Sequence, residues 1–495
     1  MNNSRILTTF CALFSLIGLY AAEVTTVAGG LKDLVADKSA TELTVKGDID
    51  ARDIKFISDE MPNLHVLNLK DANIKAFSAS EEYFGGQKDY EAGVLPSYCF
   101  FAKKYTSIVL PSTLKSVGEA SLAGCTEIAT INIPNGVDSI GNSAFNGCKA
   151  LKGIVIPSTI KTIGDYAFAR SGVESADLSG MSASGKIGVK VFSNCDKLAN
   201  VVLPINCTAI VAGMFSGCSS LTQISLPTSI ESIGEEAFMQ TGLKSIDLSG
   251  CTALKTIGMW AFANVPVENL TVAPNIESIG EGAFFYNSTL KGITLPSNVK
   301  EISDFMLAGC SEITAGPIVG EGVTKIGRFS FADMKKMNNP ELPTTVNYIG
   351  DKAFENTVGM TELKVNATIV PQLGDSVFAG IKQPMVKLKV PEASIPLYKA
   401  ADQWKEFLIT DLTNVELQKT NSDIKAFFVG KELNIKASLP INRASVYDPS
   451  GVLLAVATPG SETAQIDTAN FSGNLYIVII VLETGEAKTI KLIRR

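Results

Sequence analysis

Histidine is almost absent from this chain: His65 is the single one in 495 residues. That removes any site needing two imidazoles, and a Ser–His–Asp or Cys–His constellation would have to be built on His65 itself. His65 lies in the run LHVLNL, at a position alternating away from the leucines, where an exposed strand residue is expected. No Cys-x-x-Cys pair occurs among the nine cysteines, so a zinc or dithiol site has no frame. Gly-x-Ser-x-Gly, phosphate-loop and calcium-loop patterns are also missing. Basic surplus is missing too. The formal net charge is −7 with no basic stripe, which argues against nucleic acid as a partner.

Long apolar runs are scarce. After the N-terminus none reaches the ~18 residues of a membrane-spanning helix. Leu475–Leu482 (LYIVIIVL) is a buried strand by length. Residues 1–22 read as a secretory signal: Arg5, an apolar stretch from Ile6 to Tyr20, then the small Ala21 and Ala22. No transmembrane segment is expected once that signal is removed, and eight cysteines remain. With 46% hydrophobic and 19% charged residues, the rest is a folding sequence rather than a disordered one.

What is abundant is repetition. Leu151–Ala169 reads LKGIVIPSTIKTIGDYAFA: a short apolar run, a proline, an Ile-x-x-Ile-Gly step, then Ala-Phe. Leu221–Phe238 and Leu290–Ser303 repeat that grammar. A phenylalanine anchor recurs at Phe145, Phe168, Phe192, Phe215, Phe238, Phe262, Phe284, Phe331, Phe354 and Phe378. Leu307 fills the missing slot, and Leu122 and Phe100 extend the series backwards, at intervals of 22 to 24 residues. A fixed period in this range predicts a solenoid of stacked coils, about 13 here. No coil can bury its own apolar residues, so each depends on its neighbours.

Within a coil, the expected first strands are Ile108–Leu110, Ile131–Ile133, Ile154–Ile156, Val201–Leu203, Ile224–Leu226, Ile246–Leu248, Leu270–Val272, Ile293–Leu295 and Leu363–Val365. Proline commonly follows, as at Pro157 and Pro227, and turns the corner because it cannot continue a ladder. Glycines such as Gly141, Gly164, Gly234, Gly258, Gly280, Gly327 and Gly350 are read as conformational permission for the second corner. Cys125, Cys148, Cys195, Cys218 and Cys310 fall in one column. Coil spacing of ~4.8 Å exceeds the ~3.8 Å between Cβ atoms of a relaxed disulfide. Free buried thiols are therefore expected.

The ends differ. Residues 23–95 are expected to form an N-terminal cap and a first repeat. It includes a helix capped by Asp50 over Ala51–Met61, then LHVLNLKDANI, and a less regular insertion at 75–95. Residues 96–391 form the coils. Residues 392–412 are expected to close the stack with a helix capped by Ser394 and carrying Leu397, Tyr398, Trp404 and Phe407. Residues 413–495 hold about seven short strand candidates separated by turns such as Ser450-Gly451 and Ser472-Gly473, which predicts a small β-sandwich.

The consensus LxxIxIPxxIxxIGxxAFxxCxxL over residues 96–391 resembles the leucine-rich repeats of BspA-like surface proteins of Bacteroidetes. The end module carries Tyr447-Asp-x-x-Gly451, Ile466-Asp467, Gly473-x-x-Tyr476 and a terminal Lys491-Leu-Ile-Arg-Arg. These are similar to the C-terminal sorting domain of the type IX secretion system. The resemblance implies a mainly β leucine-rich-repeat solenoid with a small C-terminal sandwich. It also implies export to the cell surface, outside the outer membrane, and adhesion to host matrix proteins or bacterial partners, with no cofactor and no enzymatic activity. A biofilm or self-aggregation scaffold, or a glycan-binding or carbohydrate-active solenoid, stays open as an alternative.

Alternation turns the middle residue of each first strand outward. That column reads Val109, Asn132, Val155, Asp177, Val202, Ser225, Asp247, Thr271 and Thr294, and it is the candidate binding row. Its two aspartates are three coils apart, roughly 14 Å. Paired glycosidase carboxylates stand ~5–9.5 Å apart, so solvated surface charges are expected. Trp260, Phe285 and Tyr286 lie close to anchors and are read as core or edge packing.

Overall fold

The structure, a computed structural model, describes residues 21–182, 184–315, 319–412, 424–483 and 487–494. The expected signal lies almost wholly outside these; Ala21 and Ala22, its last residues, belong to the strand Ala21–Thr26. The chain divides into two compact units, Met1–Leu412 and Thr413–Arg495.

The first unit is a parallel solenoid. Most repeats contribute two short strands that pair with their counterparts in the next. In one sheet Ile140 aligns with Ile163 and Ile163 with Ile187. In another Val155 aligns with Asp177 and Asp177 with Val202. Identical register in successive coils puts like residues above like. The anchors accordingly form an aromatic stack through the core. From Phe145 to Phe284, neighbouring ring centroids are 5.2–6.1 Å apart, with planes within 22°. All are fully buried. Burying one such ring stabilises by ~1.5–3 kcal/mol and an aromatic pair adds ~0.5–1.5 kcal/mol. Since each ring touches one above and one below, that energy belongs to the interface between coils.

The anchor sits in a turn whose flanking residues are left-handed. Two positions before it, Tyr166, Trp260, Phe305 and Phe329 have φ of 54–57°. Two positions after it, Arg170, Asn264 and Tyr286 do the same at 55–56°. The turn also hydrogen-bonds to the next coil. Phe145 N–H donates to the Ala167 carbonyl at 2.7 Å, and Phe168 N–H to that of Val191 at 3.0 Å.

This corrects the reading of the glycines. Gly141, Gly164, Gly234, Gly258, Gly280, Gly327 and Gly350 do not have positive φ. A Cβ on Gly258 would stand 2.6 Å from the backbone nitrogen of Glu235, and one on Gly280 2.5 Å from that of Met259. Glycine is required here because consecutive coils touch backbone to backbone, while the left-handed corners are made largely by other residues.

A second correction concerns three first strands. Ile131–Ile133 and Ile224–Leu226 stay in the stack but form no ladder strand, and Ile293–Leu295 keeps only a single bridge, at Thr294. The outer row is therefore interrupted: between Ser107–Val109, paired with Val66–Asn68, and the sheet of Glu362–Val365, its sheets are Gly153–Val155 to Asn200–Val202, then Ser245–Asp247 with Asn269–Thr271.

Both ends are covered. Helix α1 (Leu31–Leu34) and helix α2 (Ala51–Glu60) cover the first coil. The Asp50 side chain caps α2, and Asp53 reaches back to the Asp50 N–H to complete a capping box. Between the first repeats, Phe77–Ser78 and Asp89–Tyr90 form a hairpin that seats Phe84 and Tyr90 in the core. At the other end, helix α3 (Ile395–Ala400) is followed by a 3-10 turn at Trp404–Glu406. The Ser394 side chain does not cap α3; its hydroxyl donates to the Thr368 carbonyl at 2.8 Å. Tyr398 and Trp404 donate to the carbonyls of Ala367 and Pro371. Leu408–Asp411 then adds a parallel strand that the sequence pattern does not announce.

Among the described residues the second unit has six strands, because two expected ones are a single long strand, Glu432–Tyr447. Its first half pairs with Lys425–Val429 and Ser461–Asp467. Its second half pairs with Leu453–Ala457 and Leu475–Leu482, and the latter with Ala487–Ile493. The register breaks between Lys436 and Ile441, around Pro440. One strand thus serves two halves that share a core of Leu433, Ile435, Val446, Tyr476 and Ile480.

Candidate functional site

The outward row is placed largely as alternation demands. Val155 is 70% exposed and Val202 51%, while Ile154 between them and the core is buried. Asn132, Ser225, Asp247, Thr271 and Thr294 are exposed, and Asp177 is half-buried. Register brings Val155, Asp177 and Val202 side by side on three successive coils, and Asp247 beside Thr271 on two. Asn132 and Ser225 lie on the coils that leave the ladder and are not joined to it by strand pairing.

The carboxylates of this row act locally. Asp177 Oδ1 accepts from Ser179 Oγ at 2.6 Å and Ser179 N–H at 2.9 Å, and those bonds hold its pKa below the ordinary value. Asp247 Oδ1 accepts from Ser249 N–H at 2.9 Å, with the same downward effect. A general acid needs the opposite shift. Each aspartate closes the turn after its own strand.

A shallow cavity of about 530 Å³ opens on this face where the ladder is lost. Thr271 and Thr294 line it together with Leu270, Ile293, Pro296 and Ala315. Its floor is Gly292: a Cβ there would meet nothing within 4 Å. The sequence row contained both threonines but missed the groove between them. The glycine two residues before the outward Thr294 is no signal by itself, because Gly153 holds the same place before Val155.

His65 is half-buried rather than exposed, and its Nδ1 is 2.9 Å from the Lys104 carbonyl. Among the described residues, all eight cysteines are free. Cys125, Cys148, Cys195, Cys218 and Cys310 each point the thiol at the carbonyl of the anchor one coil back, at 3.1–3.3 Å. Burial pushes the Cys195 pKa up to about 11 and those of Cys125 and Cys310 to about 12. Cys207 alone among them is half-buried, beside a second cavity of about 140 Å³ lined also by Met181, Pro204 and Asn206. Among the described residues, no group of three His, Cys, Asp or Glu is arranged to hold a metal ion. Among them also, no helix is long and apolar enough to cross a membrane.

Known proteins place this architecture. Solved structures with the same fold include a leucine-rich repeat protein from Bacteroides ovatus, 23% identical, covering 70% of this chain and 91% of its own, with a TM-score of 0.52. The pneumococcal vaccine antigen PcpA matches at 18% identity over 61% of this chain and 87% of its own, with a TM-score of 0.38. A leucine-rich cell surface protein from Faecalibacterium prausnitzii matches at 21% identity over 58% and 88%, with a TM-score of 0.33. Only the first has a TM-score above 0.5, and at 23% identity it speaks to the fold alone. No curated protein sequence matches the chain. The model of the BspA-type leucine-rich repeat region matches residues 94–219, 185–314, 255–384 and 313–436 in overlapping segments, well over half of the chain. With its anchors stacked and its coils in register over that same span, the chain belongs to the BspA-type leucine-rich repeat family.

Proposed function

We propose that this protein is a non-enzymatic, cell-surface recognition protein that binds protein partners through the strand face of its solenoid and acts in adhesion. The observation that carries this reading is the exposed row from Val155 to Val202, continuing at Asp247, Thr271 and Thr294 and ending in the groove over Gly292. It is made of short side chains, carries Asp177 and Asp247 as its acids, and is held in fixed register by a core that cannot shift one coil without its neighbours. Carboxylates committed to turn closure support binding rather than turnover. The C-terminal unit, with a core of its own, is read as the module for export or attachment.

The test is direct. The chain from residue 23 is offered to an array of matrix and bacterial surface proteins, and hits are repeated with Val155→Lys plus Val202→Lys. A loss of tenfold or more with unchanged melting supports the strand face; undiminished binding removes it. For the sorting role, deletion of residues 424–495 should trap the protein within the envelope, and normal surface display of that truncation defeats the assignment.

A further inference from the structure

On the turn side of the coils, away from the strand row, five aromatic side chains are gathered: Trp260, Phe285, Tyr286, Phe305 and Phe329. Trp260 packs on Phe285 with centroids 5.0 Å apart, Phe285 on Tyr286 at 4.6 Å, and Phe305 on Phe329 at 5.0 Å. Trp260 also meets Phe305 at 6.3 Å, so the group is continuous over four successive coils. None is in the core. Tyr286 is 50% exposed, and the other four are half-buried.

Two of these rings lie flat. A Cβ on Gly282 would fall 2.2, 2.3 and 2.7 Å from Cζ3, Cε3 and Cη2 of Trp260. One on Gly309 would fall 2.9, 3.0 and 3.1 Å from Cδ2, Cγ and Cε2 of Tyr286. Near-equal distances to three adjacent ring atoms mean that each glycine sits under a ring face, not against its edge. Both rings therefore turn their opposite faces away from the coil, and both glycines are positions where any side chain would displace them. Phe305 and Phe329 differ: they are nearly parallel, at 7°, and cover one face of each other.

The surrounding charges are already engaged. Arg328 lies over Phe305 and bonds Asp304 at 3.1 Å. Lys352 lies over Phe329 and bonds Glu355 at 3.0 Å. The two cations that lie over the strip are thus each already paired with a carboxylate of the chain. Outward aromatic faces attract positively polarised C–H groups through the ring quadrupole. Their spacing along the stack is set by the coil rise of ~4.8 Å. A row of this kind fits an extended, uncharged polymer that shows a C–H face at regular intervals.

We infer that the strip centred on Trp260 and Tyr286 is a binding site for an uncharged polysaccharide, separate from the strand face. The chain supplies its own probe: it has two tryptophans, and Trp404 is 1% exposed. Ligand-dependent changes in tryptophan emission will therefore come from Trp260.

The experiment titrates the chain from residue 23 with soluble neutral glucan, mannan and xylan, and with heparin as the acidic comparison. Emission and affinity electrophoresis are read in parallel. At least one neutral polysaccharide should alter the emission and retard the band. Trp260→Phe should abolish the optical change, and Trp260→Ala and Tyr286→Ala should each weaken retardation tenfold or more. Tyr166→Ala, on the same side but outside the strip, should change nothing. Unchanged melting temperatures show that the variants fold. The strand-face pair Val155→Lys and Val202→Lys should bind polysaccharide normally, which separates this site from the proposed protein-binding row. The inference is overturned if no neutral polysaccharide binds at millimolar saccharide, if heparin alone binds, if the variants bind like the parent, or if Trp260→Ala impairs only a protein partner.

Discussion

The thiol of Cys218 donates a hydrogen bond to the backbone carbonyl of Phe192, 3.2 Å away on the preceding coil. That carbonyl already accepts the N–H of Cys195 at 3.1 Å in its own turn. The cysteine column is thus a line of second donors binding each anchor turn to the coil above. Thr357 takes the same position and donates to the Phe331 carbonyl at 3.0 Å.

A hydroxyl at this position should therefore replace the thiol. Cys218→Thr keeps the donor, and Cys218→Val, of nearly the same shape, deletes it. Since the carbonyl retains its turn partner, the difference should be the ~0.5–1.5 kcal/mol net value of one hydrogen bond rather than a full desolvation penalty. Urea midpoints of the two variants test this. Equal midpoints would reduce the column to simple space filling.

The same thiols predict the alkaline behaviour. An unfolded cysteine ionises near its ordinary value of 9.0, whereas burial holds Cys195 protonated up to about 11 and Cys125 and Cys310 up to about 12. Above pH 9 the unfolded chain releases protons that the folded chain keeps. The contribution to stability is then complete below pH 9 and is lost as pH rises toward those folded values. Melting temperature should fall steeply between pH 9 and 10.5, and less steeply when Cys125, Cys195 and Cys310 are replaced by Ser. Parallel curves would contradict it.

How much of this was legible follows from the type of information each feature needs. The anchors Phe145 to Phe378 announce the stack because period and residue type are both local. The outward row was readable from alternation alone. Its interruption at Ile131, Ile224 and Ile293 was not, because those runs match their neighbours in sequence and lose the ladder only through how the coils stack. The glycine column shows the same limit. Gly258 looks like a turn residue, and only the adjacent coil reveals that its requirement is the Glu235 backbone 2.6 Å from where a Cβ would be. The aromatic strip lies at positions that vary from coil to coil, so a reading based on the repeat assigned Trp260 and Tyr286 to packing.

The glycines give a paired prediction. Gly258→Ala forces a methyl into backbone of the preceding coil, where nothing flexible can yield, and should destabilise by ~1–3 kcal/mol. Gly292→Ala enters open space and should stay within ~0.5 kcal/mol of the parent. Thermal melts of the two single variants decide the matter. A neutral Gly258→Ala would mean that the coils can separate without penalty.

Phe238 offers the sharpest test of the stack itself. Its ring lies 5.6 Å from Phe215 and 5.2 Å from Phe262, near the middle of the ladder. Phe238→Ala empties a slot that neither neighbour can fill, because each is held by its own turn. The loss should be ~3–5 kcal/mol. Phe238→Leu imitates Leu307, which already occupies an anchor slot in this chain and is fully buried; it should cost less than half as much. Because coil stability is a sum over neighbouring interfaces, the alanine variant should also divide the denaturation of the solenoid into two steps, one for each side of the gap. Calorimetry that showed one cooperative transition for Phe238→Ala, with only a small shift, would mean that the strands and turns hold the coils together and the aromatic stack does not.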